Sequence, residues 1–206
     1  MTVISTLRKV SPSALMLAVV AMAHGQALTG AKLVEALQQG GYVMVMRHAS
    51  SPQAAPTKEA ANPDNSGDER QLDERGITTA TEMGKAIRAL KIPIGEVLSS
   101  PTYRVLETTK FANLGEARVI PELGENGKSM QVSSTTQAEW LRHRVTEFRK
   151  GTNTLLVTHN PNLIASFPAD AVGVADGEAL VFWSDGKGGA ILVARIKIED
   201  WPKLHP

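Results

Sequence analysis

"VMVMRHASSP", Val43 to Pro52, decides how this chain is read. Four apolar residues follow one another without polar alternation, the pattern of a strand buried on both faces. Such a strand ordinarily ends in a plain turn. This one ends on Arg47 and His48, two groups that can carry positive charge, and then on small polar residues and a proline.

Working outward, the same arrangement recurs. Upstream, Thr29 is placed to cap a helix through Gln39, with Leu33, Val34 and Leu37 on one face and Gly40-Gly41 ending it. Downstream, residues 50–70 are rich in Pro, Ala, Asn, Asp and Ser and lack periodicity, which reads as a long loop. Ile77, Ala80, Met83, Ile87 and Leu90 then recur at helical spacing. "EVLSS" is a short strand, "PTYRVLETTKFA" a helix with Pro101 in its first turn, and "ARVIP" a third strand. "AEWLRHRVTEF" is helical with Ala138, Leu141, Val145 and Phe148 inward, and "NTLLVTH" is a fourth strand, apolar through its centre. "EALVFW" and "GAILVARIKI" flank the turn-forming "SDGKGG" as an antiparallel hairpin.

Strands alternating with helices predict a three-layer α/β/α sandwich with a mostly parallel central sheet and an antiparallel edge hairpin. Ligands of such sheets bind outside the carboxyl ends of the strands. Those ends carry Arg47 and His48, then "SSPTYR" with Arg104, then "PELGE", then Thr158, His159 and Asn160. Each delivers charged or titratable groups to one rim.

Bulk properties narrow the partners. The 206 residues, 42% of them hydrophobic, suffice for one domain with a sizeable core. With 22 basic and 21 acidic side chains the net charge is +1, which gives no global attraction to nucleic acid or an anionic membrane. The absence of cysteine excludes disulfides and thiol catalysis. Residues 1–27 differ from the rest: Arg8 and Lys9 precede "SALMLAVVAMA", then "HGQA". That is the order of a secretory signal, expected to be cut after Ala23 or Ala27. Its apolar core of about ten residues is shorter than the roughly 20 that cross a bilayer. The expectation is an exported protein, periplasmic or secreted, with no stable membrane insertion after cleavage and a single domain over residues 28–206.

Phosphoryl transfer suits the rim. It needs cations around the phosphoryl oxygens and a nucleophile in line with the leaving group. Two arginine forks match phosphate oxygens, and nearby positive charge helps keep an imidazole neutral and nucleophilic. A carboxylic acid can protonate the departing oxygen and later activate water. None of these parts calls for a metal or cofactor.

"MRHASSP", "LSSPTYRVLETT" and "LLVTHN", in that order, resemble the histidine phosphatase superfamily, the phosphoglycerate mutase-like fold with its Arg-His-Gly motif. The likeness runs from about Gly40 to the final hairpin, and "ERQLDERGITTATEMGKAI" resembles the family segment before its second strand. The resemblance implies His48 as the phosphorylated nucleophile, Arg47 and Arg104 as phosphate ligands, and His159 as completing the pocket. It places the acid in a Leu-x-Glu pattern, matched by Leu123 and Glu125, with Glu122 as competitor. Ser51 matches the usual Ser/Thr of the first loop. Ala49 stands where the family has glycine, and Ala54 where an asparagine often falls.

The implied activity is that of a histidine acid phosphatase-type phosphoric monoester hydrolase, taking a small phosphorylated substrate and releasing inorganic phosphate. Two other readings stay open: a non-catalytic envelope binder of phosphorylated ligands, and a phosphohistidine or phosphoprotein phosphatase. Arg70 either touches substrate phosphate or, as the preferred reading, pairs with Asp73 or Glu69. Arg104 has an alternative as a surface partner of Glu107.

Overall fold

The computed structural model describes residues 27–65, 67–124, 132–185 and 187–206. The expected signal, residues 1–27, lies almost entirely outside these residues, and Glu125 lies wholly outside them.

The apolar run forms β1 (Tyr42–Arg47), preceded by α1 (Gly30–Gln39). There follow α2 (Glu74–Ala89), β2 (Ile94–Ser99), α3 (Tyr103–Ala112), β3 (Ala117–Val119), α4 (Thr135–Arg144), β4 (Asn153–Thr158), α5 (Asn160–Ser166), β5 (Ala179–Ser184) and β6 (Ala190–Ile196). The six strands form one sheet in the order β3-β2-β4-β1-β5-β6. The first four are mutually parallel, and β5 runs antiparallel to both β1 and β6.

The lack of polar alternation in β1 has the cause the pattern implied, because both faces are covered. Met44 and Met46 enter a core with Leu33, Val34 and Leu37 of α1, Met83 and Ile87 of α2, and Val105 of α3. Val43 and Val45 enter a second core on the opposite face with Leu141 of α4 and Leu163 of α5. Burying a side chain of this size contributes about 1.5–3 kcal/mol, so β1 is held hard from both sides. The direction in which Arg47 and His48 leave it is thereby set.

Several boundaries differ from the sequence reading. Helix α2 begins at Glu74, because the Asp73 carboxylate caps it by accepting from the Gly76 amide at 2.7 Å. Helix α3 begins at Tyr103, so Pro101 lies ahead of its first turn. Phe148, expected inward, is 53% exposed: α4 ends at Arg144, and Phe148 falls beyond it, lying over Gly41 instead. The seven-residue α5 has no counterpart in the sequence reading.

Candidate active site

Register assembles the site. Arg47 pairs with Thr158 across the parallel β1–β4 ladder, and the His48 amide donates to the Thr158 carbonyl at 3.0 Å. The residues that follow each strand, His48 and His159, therefore lie side by side, with ring centroids 5.5 Å apart and edge to face. On the other flank Ser99 pairs with Val157, and the Ser100 amide donates to the Val157 carbonyl at 3.1 Å. That brings "SSPTYR" level with both histidines.

Arg104 reaches in from the first turn of α3 and joins the two rings. Its Nε donates to His48 Nε2 at 3.2 Å, and its Nη2 to His159 Nδ1 at 2.9 Å. Guanidinium is a donor only, so both imidazole nitrogens accept. The tautomers follow. His48 carries its proton on Nδ1, donated to the Ala49 carbonyl at 2.8 Å, and keeps a lone pair on Nε2. His159 carries its proton on Nε2, donated toward Ser100 Oγ at 2.9 Å and Thr102 Oγ1 at 3.2 Å. Thr108 secures the loop by accepting from the Ala49 amide and donating to the Arg104 carbonyl. Ala49 is not among the positive-φ residues, so alanine costs this backbone nothing where the family has glycine.

Burial and charge act in one direction. His48 is 4% and His159 2% exposed. Desolvation first, and then Arg104, Arg47 and Arg70, push the His48 imidazolium pKa down to about 3. Desolvation, then Arg104, push that of His159 down to about 2. Both rings are neutral at any ordinary pH, as a nucleophilic imidazole requires. The unfolded chain titrates its histidines near 6.5, so between pH 6.5 and about 3 it binds more protons than the folded protein. Stability is therefore complete above pH 6.5 and falls below it, with a slope approaching about 2.7 kcal/mol per pH unit for two histidines. Urea unfolding at pH 7, 6 and 5 should show the loss before the carboxylates titrate; flat stability across that range would overturn the assignment.

The remaining site residues fall as follows. Arg47 donates from Nη1 to the Val174 carbonyl at 3.1 Å and pairs with Asp176 at 2.7 Å. Arg70 is a correction. Asp73 is occupied in capping α2 and in accepting from Ser50 Oγ, and Glu69 accepts from the Tyr103 amide. The Arg70 guanidinium instead spans the Ser51 and Pro52 carbonyls and is close enough to lower the pKa of both histidines. Arg104 does not pair with Glu107, whose buried carboxylate accepts from the Leu72 amide and Asn62. Ser51 is buried at the rim, with its hydroxyl turned to the Pro52 carbonyl at 3.4 Å. Asn160 opens α5 beside His159, with its Oδ1 buried and unpaired. Asp176 and Val174 were not anticipated; the turn-forming Asp-Gly of "VADGE" before β5 was their signal. Among the described residues no group of three His, Cys, Asp or Glu side chains is placed to hold a metal ion.

Glu122 lies half-buried in the 3-10 turn Pro121–Leu123, which is held to β4 by Thr158 Oγ1 donating to the Leu123 carbonyl at 2.6 Å and Asn162 donating to the Glu122 carbonyl at 3.1 Å. Gly124 then passes so close to the site that a Cβ there would stand 2.1 Å from Ser100 Oγ and 2.9 Å from His159 Nε2. Its φ of 175° is ordinary extended backbone, so space alone demands glycine. Gly124→Ala should displace His159 and lower kcat/KM by about 10²-fold, with a stability loss of about 1–3 kcal/mol. Kinetics together with a thermal melt check this; a fully active variant would mean that Ser100 and His159 move aside freely.

No protein-family model matches the sequence, and no curated protein does. Solved structures do match. The protein histidine phosphatase SixA complexed with tungstate aligns with a TM-score of 0.56 at 18% identity, over 77% of this chain and 98% of that one. A mutant phosphoserine phosphatase from Entamoeba histolytica in complex with phosphoserine gives 0.53 at 15% identity, over 77% and 98%. The phosphoserine phosphatase of that organism in complex with 3-phosphoglyceric acid gives 0.50 at 15%, over 75% and 95%. Nearly the whole of each neighbour is covered. The chain thus has the phosphoglycerate mutase-like fold that its motifs resemble.

Proposed function

We propose that the protein is a phosphoric monoester hydrolase of the histidine acid phosphatase type, working through a phosphohistidine on His48 and without a metal. One observation carries the reading: the unprotonated Nε2 of His48 stands among Arg47, Arg70 and Arg104, its proton held away on Nδ1. A phosphoryl oxygen takes over the Arg104 hydrogen bond and frees the Nε2 lone pair. That lone pair attacks phosphorus, the ester P–O bond breaks, and a carboxylic acid protonates the leaving oxygen. Water then attacks the phosphorus, giving its proton to the same carboxylate. The N–P bond breaks, its electron pair returns to Nε2, and inorganic phosphate leaves. Glu125 is the proposed acid and Glu122 the competitor.

The test is phosphate release from an aryl phosphate in chelator, together with trapping of acid-labile phosphate on the protein. Turnover with a trapped phosphohistidine is expected. Oxyanion binding without turnover would instead favour the non-catalytic binder. A second reading, a phosphohistidine or phosphoprotein as substrate, is supported by the likeness to the SixA structure, and a panel of phosphoamino acids and phosphorylated metabolites separates the two. The basic-apolar-small order of residues 1–27 supports an exported protein; an intact Met1 on the mature chain would sink that part.

A further inference from the structure

The segment between α5 and β5, Gly-Val-Ala-Asp-Gly-Glu from Gly173 to Glu178, is stitched to the nucleophile's own backbone. The Gly177 amide donates to the His48 carbonyl at 2.9 Å, and the Arg47 amide donates to the Glu178 carbonyl at 3.1 Å. These two bonds extend the β1–β5 ladder past the Met46–Ala179 pair. The Glu178 carboxylate closes the turn by accepting from the Ala175 amide at 2.9 Å and pairing with Arg195 at 2.7 Å. Gly177 has φ +72° and lies where a Cβ would come 2.7 Å from Ile198, so this close approach of the turn requires glycine.

The turn holds Asp176 against the site. Its Oδ1 lies 2.7 Å from Arg47 Nη2, while Arg47 Nη1 is tied to Val174. The carboxylate's field also reaches Arg70 and favours its charged form. Arg47 keeps one donor in reserve, since its Nε–H is buried and has no partner. With both histidines neutral, the Asp176 carboxylate offsets one of the three arginine charges around the nucleophile.

We propose that Asp176 is a built-in counter-ion that competes with phosphoryl oxygens for Arg47, weakening the hold on inorganic phosphate and so promoting product release. The inference rests on the phosphatase reading, but it is tested by binding alone. Asp176→Asn keeps the shape and an acceptor oxygen for Arg47 while removing the charge. Isothermal titration with inorganic phosphate should show about tenfold tighter binding, the scale of one partly screened charge near the ligand. KM for an aryl phosphate should fall with it, kcat should not rise, and the difference should shrink at high salt.

Asp176→Glu, which keeps the charge, should bind phosphate as the wild type does. Unchanged or weaker binding by Asp176→Asn would overturn the proposal, leaving Asp176 as a support that orients Arg47. Glutamate behaving like asparagine would also overturn it, by showing that geometry rather than charge matters. A wild type that binds phosphate without hydrolysing any ester refutes the phosphatase reading and leaves this comparison intact.

Discussion

His48→Ala is expected to reduce turnover of an aryl phosphate by about 10⁴-fold or more while leaving oxyanion binding within a few-fold of the wild type. The asymmetry follows from the division of labour in the site. Arg47, Arg70 and Arg104 supply the positive field; only Arg104 bonds to the His48 imidazole, and it keeps its second bond, to His159, when that ring is removed. Arg47 is tied to Val174 and Asp176, and Arg70 to the Ser51 and Pro52 carbonyls. Only the attacking lone pair disappears, and with it the covalent intermediate. The variant should therefore give no acid-labile phosphoprotein yet still be stabilised by tungstate in a thermal melt. Because it lacks one of the two buried neutral histidines, it should also lose less stability between pH 6.5 and 5 than the wild type. Substantial residual turnover would show that His48 is not the nucleophile.

The strand ends were legible because an unbroken apolar run that stops on a titratable group needs a reason to do so. His48 and His159 stand at such stops, Arg104 lies in the first turn of the helix that follows β2, and parallel register does the rest. Arg70 was misread for an equally physical reason. Its acidic neighbours in sequence made a local ion pair attractive, but those carboxylates were already needed by backbone donors, Asp73 at the start of α2 and Glu69 at Tyr103. A helix cap satisfies a buried amide that nothing else can reach, whereas an exposed ion pair is worth about 0–1 kcal/mol, so the cap wins. Asp176 was missed because its partner is distant in the chain: the antiparallel β5 brings a turn from the far end of the domain onto β1. Helix α5 is seven residues long and carries a proline in its first turn, too short for periodicity to register.

Arg104 should matter far more to activity than to stability. It is 2% exposed, and its guanidinium hydrogen bonds end on two neutral imidazoles, not on a carboxylate. Burial, and then the repulsion of Arg70 and Arg47, lower its pKa from 12.5 to about 10. For a cation, a folded-state pKa below the unfolded one means that carrying the charge costs stability at every pH below about 10. The shift corresponds to about 3 kcal/mol. Arg104→Met fills similar space without the charge and leaves two imidazole acceptors unpaired, a loss of about 1–3 kcal/mol each. The two terms are of like size and largely offset each other, so the variant should melt close to the wild type. Activity should fall by about 10³-fold or more, the usual cost of removing an arginine from a developing phosphoryl charge. Arg104→Lys keeps a charge but not the fork that spans both rings, and should recover little of that loss. In the wild type, phosphate should raise Tm by supplying the anion this cation lacks; in Arg104→Met the shift should nearly vanish. An inactive and strongly destabilised Arg104→Met would assign the residue to the fold, whereas an inactive one that melts like the wild type identifies a charge kept for the ligand.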